Sequence, residues 1–106
     1  MADEYLLVLC TCPDPTVAAE VATALIEQNL AACVNRVPGI RSYYRWQGHL
    51  EQEDEVLLLA KTTRARFPAL EQAIRALHPH AVPEIIALPI TAGAEAYLKW
   101  ISECTA

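Results

Sequence analysis

What this chain of 106 residues has little of narrows its chemistry first. It contains three Gly, one Met and one Phe. The glycine-rich phosphate cradles GxGxxG and GxxxxGK[ST] are missing, as are HExxH and GxSxG. Dinucleotide, P-loop, zinc-peptidase and serine-hydrolase readings therefore lose their usual warrants. No CxxC pair occurs among the four cysteines, Cys10, Cys12, Cys33 and Cys104. Positive charge is also short: 8 Lys and Arg stand against 13 Asp and Glu, a net charge of -5. That balance argues against nucleic acid or an anionic membrane as a partner. No apolar run nears the roughly 18–20 residues that span a bilayer. The opening MADEYLLVLC has acidic residues where a signal peptide carries a cationic region. The expectation is a cytoplasmic protein with reduced cysteines.

What is present is 54% hydrophobic residues and 20% charged ones. This suits a single domain over residues 1–106 with a core that needs no staples. Tyr5 to Thr11 is apolar without alternation and reads as a strand buried on both faces. Asp14 is a good N-cap, Pro15 fits the first helical position, and the helix is expected to run to Asn29 or Leu30. Val17, Val21, Ala24, Leu25 and Gln28 share one side of it. Ala31 to Val37 is a second strand, interrupted by Pro38-Gly39. A second helix starts near Arg66, with Phe67, Leu70, Ile74 and Leu77 as its buried stripe, and His78-Pro79 ends it. Glu84 to Thr91 is a last strand; Pro89 cannot donate to a ladder, so it belongs at an edge or carries a bulge. A short helix follows Gly93, with Tyr97, Trp100, Ile101 and Cys104 on one side.

The order is β-α-β-β-α-β with a terminal helix, the split βαβ or ferredoxin-like α+β arrangement. Its strand order, 4-1-3-2, puts the unbroken runs LLVLC and VLLLA in the centre and the proline-bearing strands at the edges. Both helices cover one face, so the other face calls for self-association.

Ile40 to Thr63 reads as two long strands folded at Gln47-Gly48. Arms of roughly 12–14 residues at about 3.3 Å each reach roughly 40–46 Å. A compact domain of this length is very roughly 33 Å across. The hairpin is thus longer than its domain is wide, and its aromatic edge needs a cover, most simply another copy of the chain. Gln-Gly is a weaker turn signal than Asn-Gly, because Gln resists positive φ. Glu51, Glu53 and Glu55 alternate on one strand face; Arg41 and Arg45 are available to pair with them. Tyr43, Tyr44 and Trp46 suit an interface better than a ligand stack.

The topology gathers Cys10, Cys12, Asp14, His78, His80 and Glu84 at one end, with the hairpin tip pointing the same way. Thiol and imidazole suit a soft or borderline cation such as copper or zinc. Cys10 and His78 supply two ligands, fewer than the four of a closed zinc site. Acid–base work by the glutamate row or nucleophilic work by Cys10 lacks a visible partner, and no enzymatic activity is expected.

The chain resembles the CutA family, the divalent-cation tolerance proteins, from about Leu7 to Trp100. The resemblance rests on Cys10-Thr11 with Pro13-Asp14, Leu30 to Cys33, Pro38-Gly39, Tyr44 with Trp46 and Gly48, Glu51, Glu53 and Glu55. It continues through Lys61 to Thr63, His78-Pro79 with Pro83-Glu84, and Tyr97-Leu98 with Trp100. It implies a homotrimer with long strands packed between subunits, in the cytoplasm, linked to tolerance of copper and other divalent cations. It places copper ligands at Cys10 and His78. The family's other histidine position is Leu77 here, with His80 as a candidate substitute. The resemblance of such trimers to PII signalling proteins supports a second reading: a module that binds a small molecule in clefts between subunits, through Tyr44, Trp46, Lys61 and Glu84.

Overall fold

The computed structural model describes residues 4–106. The first three residues of the acidic N-terminus, and with them part of the signal-peptide reading, lie outside the described residues. The elements are β1 (Tyr5–Cys12), α1 (Pro15–Glu27), β2 (Cys33–Trp46), β3 (His49–Thr63), α2 (Phe67–Leu77), β4 (Ile85–Pro89) and α3 (Glu95–Cys104). The strands form one antiparallel sheet in the order β2-β3-β1-β4. This is the ferredoxin-like order, with β1 and β3 central and the interrupted strands at the edges.

Pleating decides which residues reach the core. Val8, Cys10 and Cys12 of β1 and Val56, Leu58 and Ala60 of β3 turn to one face. There they pack on Ala18, Val21 and Leu25 of α1 and Leu70 and Ile74 of α2. Each buried Leu, Ile or Val side chain contributes about 1.5–3 kcal/mol by leaving water. The first strand is not buried on both faces as its composition suggested: Leu7 and Leu9, between the buried residues, are only half-buried. The buried stripes also shift slightly from expectation. In α1 Ala18 joins Val21 and Leu25, and in α2 Leu77 stays 38% exposed.

Helix ends follow local chemistry. Asp14 Oδ1 accepts the Val17 N–H at 2.8 Å and caps α1, with Pro15 behind it. The helix stops at Glu27, short of the expected end. Asn29 takes φ 56°, and the N–H groups of Leu30 and Ala31 bond back to the Leu25 carbonyl at 2.9 and 3.2 Å. Asn tolerates that left-handed conformation better than other residues with a Cβ, and the turn satisfies a terminal carbonyl. The last strand and helix are likewise shorter than the apolar pattern, since β4 begins at Ile85 and α3 at Glu95.

The hairpin is the largest feature. β2 has 14 residues and β3 has 15, and the molecule measures 46 × 25 × 23 Å. Gln47 and Gly48 both take positive φ, 49° and 83°, in a two-residue turn that pairs Trp46 with His49. Gln47 therefore does accept the left-handed conformation its side chain disfavours, because the right-handed twist of the two long arms selects a primed turn. Pro38-Gly39 forms a bulge between Val37 and Ile40, with Gly39 at φ 75°.

The second face of the sheet is only partly covered. Tyr5 lies on it, opposite Thr63, and its hydroxyl bonds Ser102 Oγ of α3 at 2.7 Å. Arg66 Nε donates to the Thr105 carbonyl at 2.7 Å and holds the end of α3. Beyond this helix, Ile86 and Leu88 stay 52% and 45% exposed. They sit opposite half-buried Leu9 and Leu7.

The turn is testable by equilibrium denaturation at fixed protein concentration. A Cβ at Gly48 would meet nothing within 4 Å, so Gly48→Ala carries only the backbone penalty, and we expect a loss of about 1 kcal/mol. Gln47→Asn should gain a few tenths of a kcal/mol, since Asn tolerates positive φ better than Gln. No loss in the first and no gain in the second would rule out the primed turn as a stabilising element.

Candidate metal centre

The end of β1 meets the end of α2. β1 brings Cys10 and Cys12, two residues apart, onto the helix-covered face. His78 follows the last turn of α2, where its backbone becomes extended and turns the ring inward. The ligand atoms of Cys10, Cys12 and His78 all lie within 4.8 Å of one another, and all three residues are buried. His78 Nε2–H donates to the Thr11 carbonyl at 2.7 Å, and Nδ1 accepts the His80 N–H at 3.2 Å. This assignment makes the ring a neutral imidazole whose orientation is held from both sides.

The two thiols are linked to each other. Cys10 Sγ donates to the Thr11 carbonyl at 3.8 Å. Its interaction with Cys12, together with burial, pushes the Cys10 thiol far above the usual range; the Glu84 and Glu55 carboxylates add to the rise. The same interaction holds Cys12 below the ordinary thiol value, against the effect of its burial. All four cysteines are free, with Cys33 and Cys104 elsewhere and half-buried.

Of the expected ligands, the structure brings Cys10 and His78 together. The third member, Cys12, was not selected as a ligand from sequence, although its spacing from Cys10 already put both sulfurs on one face. His80 is exposed and stacks edge-on against His78, with ring centroids 4.8 Å apart. Leu77 lies beside Ala24 and Glu27 on the outer side of α1, so the residue before His78 contributes nothing to the cluster.

A cavity of about 700 Å³ opens at the same end of β1 but on the face of the sheet away from α1 and α2, and none of Cys10, Cys12 and His78 lines it. Thr11, His80 and Glu84 line its inner end; Tyr44, Trp46, Glu51, Glu53 and Glu55 line the hairpin side. The lining has no Lys or Arg. The two-residue turn sets this composition, because it pairs Tyr44 with Glu51 and Ser42 with Glu53 while Arg41 falls opposite Asp54. Arg41 bonds Asp54 at 2.7 Å on the other face rather than the glutamate row. Tyr44 instead donates to Glu53 at 2.6 Å. Three of the expected cleft residues, Tyr44, Trp46 and Glu84, thus share this cavity. Lys61 lies farther along β3, opposite Cys33 and Leu7, where its ammonium meets Asn35.

The family profile described as CutA1 divalent ion tolerance protein matches residues 6–104. The chain belongs to the CutA1 family. The divalent-cation tolerance protein CutA of Thermus thermophilus is 54% identical over 99 residues, covering 93% of this chain and 96% of that one. The solved structure of the Thermus protein superposes with a TM-score of 0.94, at 52% identity, covering 96% of this chain and 99% of that one. The CutA homolog of Xenopus laevis is 48% identical over 93 residues, but these cover 88% of this chain and 62% of that longer protein. The structure of the periplasmic divalent cation tolerance protein CutA of Archaeoglobus fulgidus gives a TM-score of 0.93 at 33% identity, over 96% of this chain and 99% of that one. The CutA1 fold thus spans nearly the whole chain. No helix among the described residues is long and apolar enough to cross a membrane.

The hydrogen bond to Glu53 pushes the Tyr44 phenol up to about 12, with lesser contributions from desolvation and the neighbouring carboxylates. The bond favours the neutral phenol, so whatever it adds to stability is intact below the ordinary tyrosine value of about 10 and lost as pH rises through the folded value. Ultraviolet titration of the phenols should show a late step that disappears in Tyr44→Phe and moves toward about 10 in Glu53→Gln. A late step that persists in Tyr44→Phe would assign it to another tyrosine.

Proposed function

We propose that this CutA1 protein acts in divalent-cation tolerance as a cytoplasmic homotrimer that takes copper-like ions at the end of β1, without catalysing a reaction. The observation that carries the metal reading is the meeting of the Cys10 thiol and the His78 imidazole in one buried cluster. Softness supports copper, because thiolate and imidazole are poor ligands for hard cations. The ring of His78 has both nitrogens engaged with backbone groups. That orientation suits a positioned ligand better than a general base poised for turnover.

Self-association is supported by the exposed Ile86 and Leu88 on the half-covered face and by the free outer edge of β2, which runs for 14 residues. An edge of that length invites pairing with another chain unless it is covered. Thiols available as metal ligands, as this reading requires of Cys10, suit a reducing compartment.

The cavity favours a second reading, in which the trimer signals by binding a small molecule in clefts between subunits. Its volume falls in the range of ligand pockets, and Tyr44, Trp46 and Glu84 line it. Lys61 joins such a cleft only from a neighbouring subunit. The carboxylates at 51, 53, 55 and 84 favour a neutral or amine-bearing molecule over an organic anion.

Calorimetric titration of the reduced protein separates the readings. Copper affinity should fall at least about 10-fold in both Cys10→Ser and His78→Ala, with folding checked by circular dichroism. Unchanged affinity in both variants would remove the site. Stabilisation by an amine metabolite with no response to copper or zinc would favour the cleft reading. Light scattering should give the mass of three chains, and a stable monomer would overturn the assembly.

A further inference from the structure

Cys12 has no place in a two-ligand site, yet it is fully buried and lies in the same cluster as Cys10 and His78. Three donors around an ion at about 2.3 Å in trigonal geometry sit roughly 4 Å apart. The observed limit of 4.8 Å needs only a small contraction to close on one ion.

The donor set then selects the ion. It offers two sulfurs and one nitrogen, with no carboxylate among the clustered ligand atoms. Zinc in a closed protein site takes four donors, and calcium and magnesium take oxygens. Thiolate-rich sites of low coordination number favour monovalent copper. The ring of His78 is already held by Thr11 and His80. Histidine ligands characteristically use one ring N–H on a backbone carbonyl or carboxylate while the other nitrogen binds metal. Here coordination replaces one of the two existing hydrogen bonds and keeps the other as the orienting one. Leu77 supplies no second imidazole, and the sulfur of Cys12 takes the third place. The carboxylates of the cavity lined by Thr11 and His80 raise the local concentration of cations at this end of the sheet.

We propose that Cys10, Cys12 and His78 form a three-coordinate site for monovalent copper, with Cys12 a ligand in its own right. As the ion binds, the S–H protons of Cys10 and Cys12 pass to solvent, and copper does not change oxidation state. The proposal rests on the reading that copper is taken at Cys10 and His78, and it replaces a divalent ion by a monovalent one at that place.

The test is an anaerobic titration of the reduced full chain with Cu⁺, in competition with the chromogenic chelator bathocuproine disulfonate. One Cu⁺ should bind per chain, and X-ray absorption should show two sulfurs and one nitrogen around it. Cys12→Ala should weaken binding about 100-fold or more, since even second-layer partners of a metal ligand are worth 10–100-fold. A Zn²⁺ excess should fail to displace the copper. If Cys12→Ala binds as tightly as the wild type while Cys10→Ser and His78→Ala do not, Cys12 is no ligand and the proposal fails alone. If the wild type takes up no Cu⁺, or neither Cys10→Ser nor His78→Ala matters, the underlying copper reading fails with it. Should Cys12→Ala not fold, the wild-type absorption spectrum still decides: fewer than two sulfurs per copper overturns the proposal.

Discussion

The pairing of β1 with β3 is the constraint on which the rest depends. It runs without interruption from Tyr5 opposite Thr63 to Cys12 opposite Val56. One register assigns the two cysteines to the helix-covered face, and Leu7, Leu9, Leu57 and Leu59 to the other. A slip of a single residue would exchange the faces. A slip of β1 would turn both sulfurs away from the helices and Thr11 towards them. The apolar weight of Val8, Leu58 and Ala60 on one side holds the register. The two sulfurs of the candidate metal centre are therefore placed by the hydrophobic core, while the His78 ring is oriented by its bonds to Thr11 and His80.

Much of this was legible in the sequence because the signals were local. Proline and the Pro38-Gly39 break marked the edge strands, and unbroken apolar runs marked the centre. Asp14 and Pro15 announced the first helix, and element order alone gathered Cys10, His78 and Glu84 at one end. What was not legible depends on geometry between elements. Arg41 and the glutamate row are close in sequence across the turn, but opposite residues share a face only in one register, and that register gives Arg41 to Asp54. Leu77 fits the helical stripe of α2, yet the chain leaves the helix at His78 and strands it at the rim. The role of Cys12 depended on where the ring of His78 lands, which no spacing along β1 reports.

The cavity and the buried cluster belong to one electrostatic arrangement. Four carboxylates line a space with no Lys or Arg around it. Two of those carboxylates, Glu55 and Glu84, act on the Cys10 thiol. Negative charge that opposes ionisation of an empty thiol becomes favourable once a cation sits among the sulfurs. The Cys10 thiol is thus reluctant to ionise without an ion and receptive to ionisation with one. That coupling of proton release to cation entry is the usual behaviour of sulfur-rich centres.

The bulge at Pro38-Gly39 has a consequence for how this family can vary. It gives β2 one more residue than β3 between Val37 and Ile40, so odd-numbered residues below it and even-numbered ones above it share a face. The bulge acts as a parity gear between two halves of one strand. Below it, the pattern answers to the core; above it, the pattern answers to the cavity. Taking out the extra residue would keep the tip paired and rotate the lower half of β2 out of phase with the core. Adding one residue to the upper half of β2 would instead present Arg41, Tyr43 and Arg45 to the glutamate row and leave the lower half untouched. A change in length alone would therefore offset part of the cavity's negative charge, without substitution of any residue that lines it.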